Sequence, residues 1–206
     1  MKTLCCLCLL AWSALGMSAQ VNGSLSYQNT GGTGKEKYVF LNLMEVYPGG
    51  ATQEQYLACC ERLAGADYSA QLWYSPLSGS GGDSLKPVPG SLTTFRSGNT
   101  AGLIFGKAKL EIPDTFGGDT VTLQLRAWKN DGGVIIQWKD ALVRGASEHF
   151  KHVLGGITRD GTPVLGTGNM AVNLRAFAII PVPEPTYLSA VAAAVVFGWV
   201  RSRRRR

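Results

Sequence analysis

Between residues 20 and 180 few side chains are spaced for chemistry. Glu148, His149 and His152 form Glu-His-x-x-His, which on a helix would set both imidazoles near one face and begin a metal site. The order lacks the internal carboxylate of His-Glu-x-x-His, which serves as a base beside a metal. With two histidines in the chain, a third ligand would have to be a carboxylate or water, and two solvated histidines is the simpler reading. Cys59 and Cys60 are adjacent. No local signature marks either as a nucleophile, no second pair supplies the other ligands of a zinc site, and neighbouring cysteines pair only through a strained ring. The fold is therefore not expected to depend on a framework of bridges. Asp114, Asp119, Asp131 and Asp160 sit at turns without the alternating ligand spacing of a calcium loop. No Gly-x-Ser-x-Gly elbow, P-loop or dinucleotide fingerprint occurs. The expectation is a non-enzyme with no cofactor and no metal. One binding hypothesis stands: Trp73, Trp128 and Trp138 fall on strands or at strand ends, where aligned indoles can stack on sugar rings. Such residues are more often core or edge packing, since buried tryptophan supplies large apolar area.

Strands are the elements that must carry these residues. Tyr68 to Tyr74 alternates Tyr68, Ala70, Leu72 and Tyr74 against Ser69, Gln71 and Trp73. Thr120 to Trp128 sets Val121, Leu123, Leu125 and Ala127 against Thr122, Gln124 and Arg126, the period of a half-buried strand. Gly133 to Trp138 follows Lys129-Asn130-Asp131-Gly132, and such a cluster between two runs predicts a hairpin pairing them. Further candidate strands are Leu25–Tyr27, Tyr38–Leu43, Gly102–Phe105, Lys107–Ile112 and Ala171–Ile180. Short strands between Gly-rich and Pro-containing turns predict an all-β fold, a single antiparallel β-sandwich or jelly roll over residues 20–180. That length is enough for one domain with a real core. Thr52-Gln53-Glu54-Gln55 has capping-box spacing, and Tyr56, Leu57, Cys60 and Leu63 recur on one helical face as far as Gly65, predicting a short helix. Lys139 to Val153 has irregular apolar spacing that admits one or two helical turns, and 79–90 and 155–168 read as surface loops.

The two ends have a different character. Pro181, Pro183 and Pro185 bar a helix from running upstream. Tyr187 to Val200 carries no charge; its fourteen residues at helical rise would reach about 21 Å, against a hydrocarbon core of about 30 Å. The deficit would be met by bilayer thinning or by snorkelling arginines. Arg201, Arg203, Arg204, Arg205 and Arg206 follow and by the positive-inside rule would stay cytoplasmic, leaving the body of the protein outside.

Pro183-Glu184-Pro185 after Val182, the short apolar segment with Gly198 near its end, and the terminal arginines together resemble a PEP-CTERM sorting signal. The resemblance covers residues 181–206: the Pro-Glu-Pro part at 181–186, an apolar transmembrane helix at 187–200 and the arginine-rich end at 201–206. It implies recognition of Pro183, Glu184 and Pro185 by an exosortase, a membrane-embedded cysteine transpeptidase of Gram-negative bacteria that commonly make extracellular polysaccharide. An ordinary unprocessed C-terminal anchor would explain the helix and the arginines but not a carboxylate between two prolines.

The N-terminus points to export independently. Lys2, an apolar run from Leu4 to Leu15, and small residues at Ser13, Ala14, Gly16, Ser18 and Ala19 have the form of a signal peptide over residues 1–19, removed by signal peptidase. Cys5, Cys6 and Cys8 leave with it. Of the 20 Lys and Arg, Lys2 and the five terminal arginines belong to the ends, leaving 14 basic residues against 13 acidic once Glu184 is set aside. The central region is near neutral, so the basic charge orients the chain in a membrane and is no nucleic-acid footprint. The resulting expectation is a protein passing transiently through the inner membrane to the cell surface or extracellular space. A structural or adhesive role in an exopolysaccharide layer or biofilm is expected there, with a carbohydrate-binding module and an unprocessed tail-anchored envelope protein as alternatives.

Overall fold

The computed structural model describes residues 22–30, 37–42, 52–75, 85–164 and 168–182. They are mostly strand: β1 (Gly23–Tyr27), β2 (Val39–Leu41), β3 (Glu61–Arg62), β4 (Tyr68–Ser75), β5 (Lys86–Pro87), β6 (Thr93–Thr94), β7 (Lys107–Ile112), β8 (Thr120–Lys129), β9 (Val143–Ala146), β10 (Phe150–Val153), β11 (Gly156–Ile157), β12 (Pro163–Val164) and β13 (Phe177–Pro181), with α1 (Gln53–Cys59) between β2 and β3. The main sheet runs β3-β2-β13-β9-β8-β4-β5, with β10 also on β8 and β6 also on β4. β1 pairs with β7, and β11 with β12.

β8 is the spine because its alternation is the longest: Val121, Leu123, Leu125 and Ala127 are all buried. It pairs with β4 from Tyr68↔Lys129 to Ser75↔Thr122, setting Leu72 opposite Leu125. Leu25 and Tyr27 of β1 and Leu110 and Ile112 of β7 enter the same apolar cluster. Each such leucine or isoleucine contributes about 1.5–3 kcal/mol on burial. β9 and β10 follow one another along the other edge of β8. Between them the Ser147 hydroxyl accepts from the Leu125 amide at 3.0 Å, and the Ser147 amide donates to the Leu125 carbonyl at 2.8 Å.

Several elements depart from the sequence reading. Gly133 to Trp138 is not a strand and does not pair with β8; β9, further along, takes that edge. Asp131, Gly132 and Gly133 all have positive φ, at 49°, 72° and 92°, so the chain turns through the left-handed region three times and arches over the sheet instead of returning beside it. α1 forms with the expected Thr52–Gln55 capping box, but it stops at Cys59. Cys60 is extended because Glu61 and Arg62 pair with β2, which delivers Leu63 to the core from a strand rather than from a helix. Tyr56 of α1 stacks on Phe40 of β2 at 5.3 Å between ring centres. Over 102–105 only an isolated bridge, Phe95↔Ile104, forms. At 171–180 a single 3-10 turn, Met170–Val172, precedes β13. Within 139–153 the only helical geometry is the turn Trp138–Asp140. One pairing breaks the antiparallel scheme: β13 runs parallel to β2 and antiparallel to β9.

Because β4, β8, β9 and β13 alternate in direction, the start of β4, the end of β8, the start of β9 and the end of β13 share one end of the sheet. There the Val182 amide donates to the Leu142 carbonyl at 2.7 Å.

Candidate functional site

The outward side of β8 carries Gln124 and Arg126, with Trp73 and Gln71 beside them on β4. The Arg126 guanidinium carbon is 3.9 Å from the centre of the Trp73 ring and 4.6 Å from that of Trp138. Arg144 of β9 lies 4.7 Å from the Trp138 ring. The four side chains thus form a ladder, Trp73, Arg126, Trp138, Arg144, in which each cation meets an aromatic quadrupole.

Hydrogen bonds fix three of the four side chains, while the buried Trp73 Nε1 has no hydrogen-bond partner. Arg126 Nε donates to Gln124 Oε1 at 2.8 Å, and Gln124 Nε2 donates to the Ser147 carbonyl at 3.0 Å. Trp138 Nε1 donates to the Gly145 carbonyl at 3.0 Å. Arg144 Nη1 donates to the Trp138 carbonyl at 3.2 Å and also to that of Lys139. Gly145 is required where it stands, since a Cβ there would lie 2.3 Å from the Ala178 carbonyl oxygen of β13. Partial burial pulls the Arg126 pKa below its ordinary value, yet an arginine stays charged across the physiological range.

The three tryptophans, weighed as a glycan-stacking face or as core packing, therefore separate. Trp73 and Trp138 share the ladder, but the space between them holds Arg126. Trp128 is fully buried, so it packs and does not present a face to solvent. Its Nε1 donates to the Ile135 carbonyl at 2.9 Å, under the arch that replaces the predicted hairpin. Asn130 pins that arch, donating to the Ala66 carbonyl at 2.7 Å and Ser69 Oγ at 2.8 Å while accepting from the Gly133 amide at 3.0 Å. Arg126 and Arg144 are the residues sequence reasoning did not single out. The alternation put Arg126 on the outer face, but only the register of β4, β8 and β9 sets it between two indoles.

Glu148, His149 and His152 do not lie on a helix. His149 is exposed, whereas His152 on β10 is buried. His152 Nε2 is 3.1 Å from the Gly168 carbonyl oxygen, and its Nδ1 has no hydrogen-bond partner. Burial lowers the His152 pKa, with the Gly168 contact opposing in part. A shallow depression of about 350 Å³ beside His149 is lined by Glu148, Lys151, Asn173 and Arg175. Its one carboxylate, Glu148, is engaged by Arg175 at 3.2 Å. Among the described residues, no three His, Cys, Asp or Glu side chains gather as ligands for an ion. Cys59 and Cys60 are joined as a disulfide.

Pro183, Glu184, Pro185 and Arg201 to Arg206 lie outside the described residues, as do 1–21. No helix among the described residues is long and apolar enough to cross a membrane. No family model, curated protein or solved structure matches this chain.

Proposed function

We propose that the chain is an exported protein of the cell surface or extracellular matrix whose C-terminal segment is a sorting signal, cut or transferred by an exosortase-like transpeptidase. The observation that carries this reading is the order of parts: Pro183-Glu184-Pro185, an uncharged stretch from Tyr187 to Val200, then five arginines. Flanking prolines favour extended backbone, which would keep the carboxylate between them accessible to an enzyme at the membrane surface. Support also comes from the end of β13. β13 ends at Pro181 and the Val182 amide donates to the Leu142 carbonyl, so cleavage within 183–185 would remove no strand of the described residues. The domain in front is a β-sandwich on this reading, since the β1–β7 ladder sends Leu25, Tyr27, Leu110 and Ile112 into one core with β4 and β8. Its role is structural or adhesive within exported polysaccharide.

Intact mass of the protein recovered from its native cells tests the proposal. Wild type is expected to lack its terminal arginines, and Glu184→Ala to retain them. A wild-type product that keeps all five would make the tail an unprocessed anchor. Glycan binding is the weaker reading, because a sugar ring could stack between Trp73 and Trp138 only by displacing Arg126.

A further inference from the structure

The end of the sheet from which the tail departs carries a run of exposed apolar side chains. Val134 is 81% exposed, Ile136 68% and Leu142 57%, within nine consecutive residues that also hold Trp138 and Lys139. Other exposed apolar residues occur elsewhere, Val153 and Val172 among them. What distinguishes this run is its tie to the tail: the Leu142 carbonyl accepts from the Val182 amide at 2.7 Å.

Chain geometry then limits how far this end can stand from whatever holds the tail. Val182 to Tyr187, the first residue of the uncharged stretch, is five residues, at most about 18 Å even fully extended. The stretch itself is about 9 Å shorter than a hydrocarbon core. If 187–200 enters a bilayer, its outer end would be drawn to or below the headgroups, and the domain end would be drawn after it. Apolar side chains at that level gain by entering the interface, and the exposed Lys139 beside them can meet lipid phosphate.

We propose that Val134, Ile136 and Leu142 form a membrane-facing surface that rests in the phospholipid headgroup region while the tail is inserted. This rests on the reading of 187–200 as a membrane segment and adds to it a defined pose: the sheet stands with the 130–142 arch toward the bilayer and the 158–162 turn away from it. The pose would hold Pro183 to Pro185 close to the membrane surface, where a membrane-embedded enzyme acts.

Hydrogen exchange of the full chain, with and without vesicles of phosphatidylethanolamine and a minority of phosphatidylglycerol, tests the pose, alongside flotation of the same samples. The expected result is flotation, slowed exchange across 134–142, and unchanged exchange across 158–164. The double variant Val134→Asp, Ile136→Asp should still float but lose the added protection; both positions are exposed, so the fold should survive. Flotation without slowed exchange at 134–142 overturns the pose and leaves the tail reading intact. Failure to float overturns both. Protection at 134–142 that grows with protein concentration in the absence of lipid assigns the surface to a second copy of the chain and overturns the proposal.

Discussion

Arg126 and Trp73 meet on the diagonal of a cross-strand pair. Trp73 stands opposite Gln124, and Arg126 opposite Gln71, so the guanidinium reaches along the strand to lie 3.9 Å from the ring centre. Diagonal neighbours lie within reach of long and aromatic side chains. The contact ties β4 to β8, and through Trp138 and Arg144 to β9, on the face opposite the core.

Arg126→Ala should therefore cost about 2 kcal/mol, the upper part of the range for a desolvated cation–π contact. Urea unfolding measures this. Arg126→Lys should recover part of the loss, since it keeps the charge without the planar group that stacks between two rings. A change no larger than that of an isolated surface arginine would show that the ladder holds nothing together.

Tyr27 is fully buried, and its hydroxyl has no hydrogen-bond partner. Burial drives its pKa far above the ordinary value. A buried, unpaired hydroxyl carries a desolvation penalty of about 1–3 kcal/mol, so Tyr27→Phe should stabilise the domain by about 1 kcal/mol. A lower unfolding midpoint for Tyr27→Phe would mean that the hydroxyl is satisfied in solution.

His152 predicts a pH dependence. Its folded pKa lies below the ordinary 6.5 because burial disfavours the charged ring. Below about pH 6.5 the unfolded chain binds a proton that the folded chain resists, so stability is full above that pH and falls as pH drops toward the folded pKa. Urea midpoints between about pH 7.5 and 5 should decline, and His152→Gln should flatten the decline. Native carboxylates with lowered pKa, such as Asp160, act at more acidic pH.

The Cys59–Cys60 bond closes no loop of the chain. Stabilisation by a crosslink grows with the loop it closes, so Cys59→Ser with Cys60→Ser should shift stability by less than about 1 kcal/mol. A loss of several kcal/mol would reveal a role in seating α1 against β2, where Tyr56 stacks on Phe40.

Strands with clean alternation were legible: β7 matches its predicted bounds, and β4 and β8 extend theirs by a residue. The α1 start was legible from Thr52 and Gln55, because a capping box is local chemistry. What was not legible depended on partners distant in sequence. The helix end was decided by β2 capturing Arg62. The 130–138 segment carried a strong hairpin signal, yet Asn130 bonded to Ala66 and Ser69 and Trp128 took the Ile135 carbonyl. Tertiary contacts thus outweighed the local pattern. Trp73 and Trp138 were singled out, together with the buried Trp128, but not the arginine between the first two, since period-two reading gives the face of a residue and not its neighbour across the sheet.

The placement of β13 has a temporal consequence. The last strand among the described residues sits between β2 and β9, so until residues 177–181 are made the main sheet exists as two separate pieces, each with a bare edge. Completion of the fold is thereby bound to the arrival of residues 177–181, and under the proposed export Glu184 would follow just behind the strand that joins the two pieces. A substitution that slows docking of β13, such as Ile179→Asp, would leave the same carboxylate trailing from an unfinished sheet.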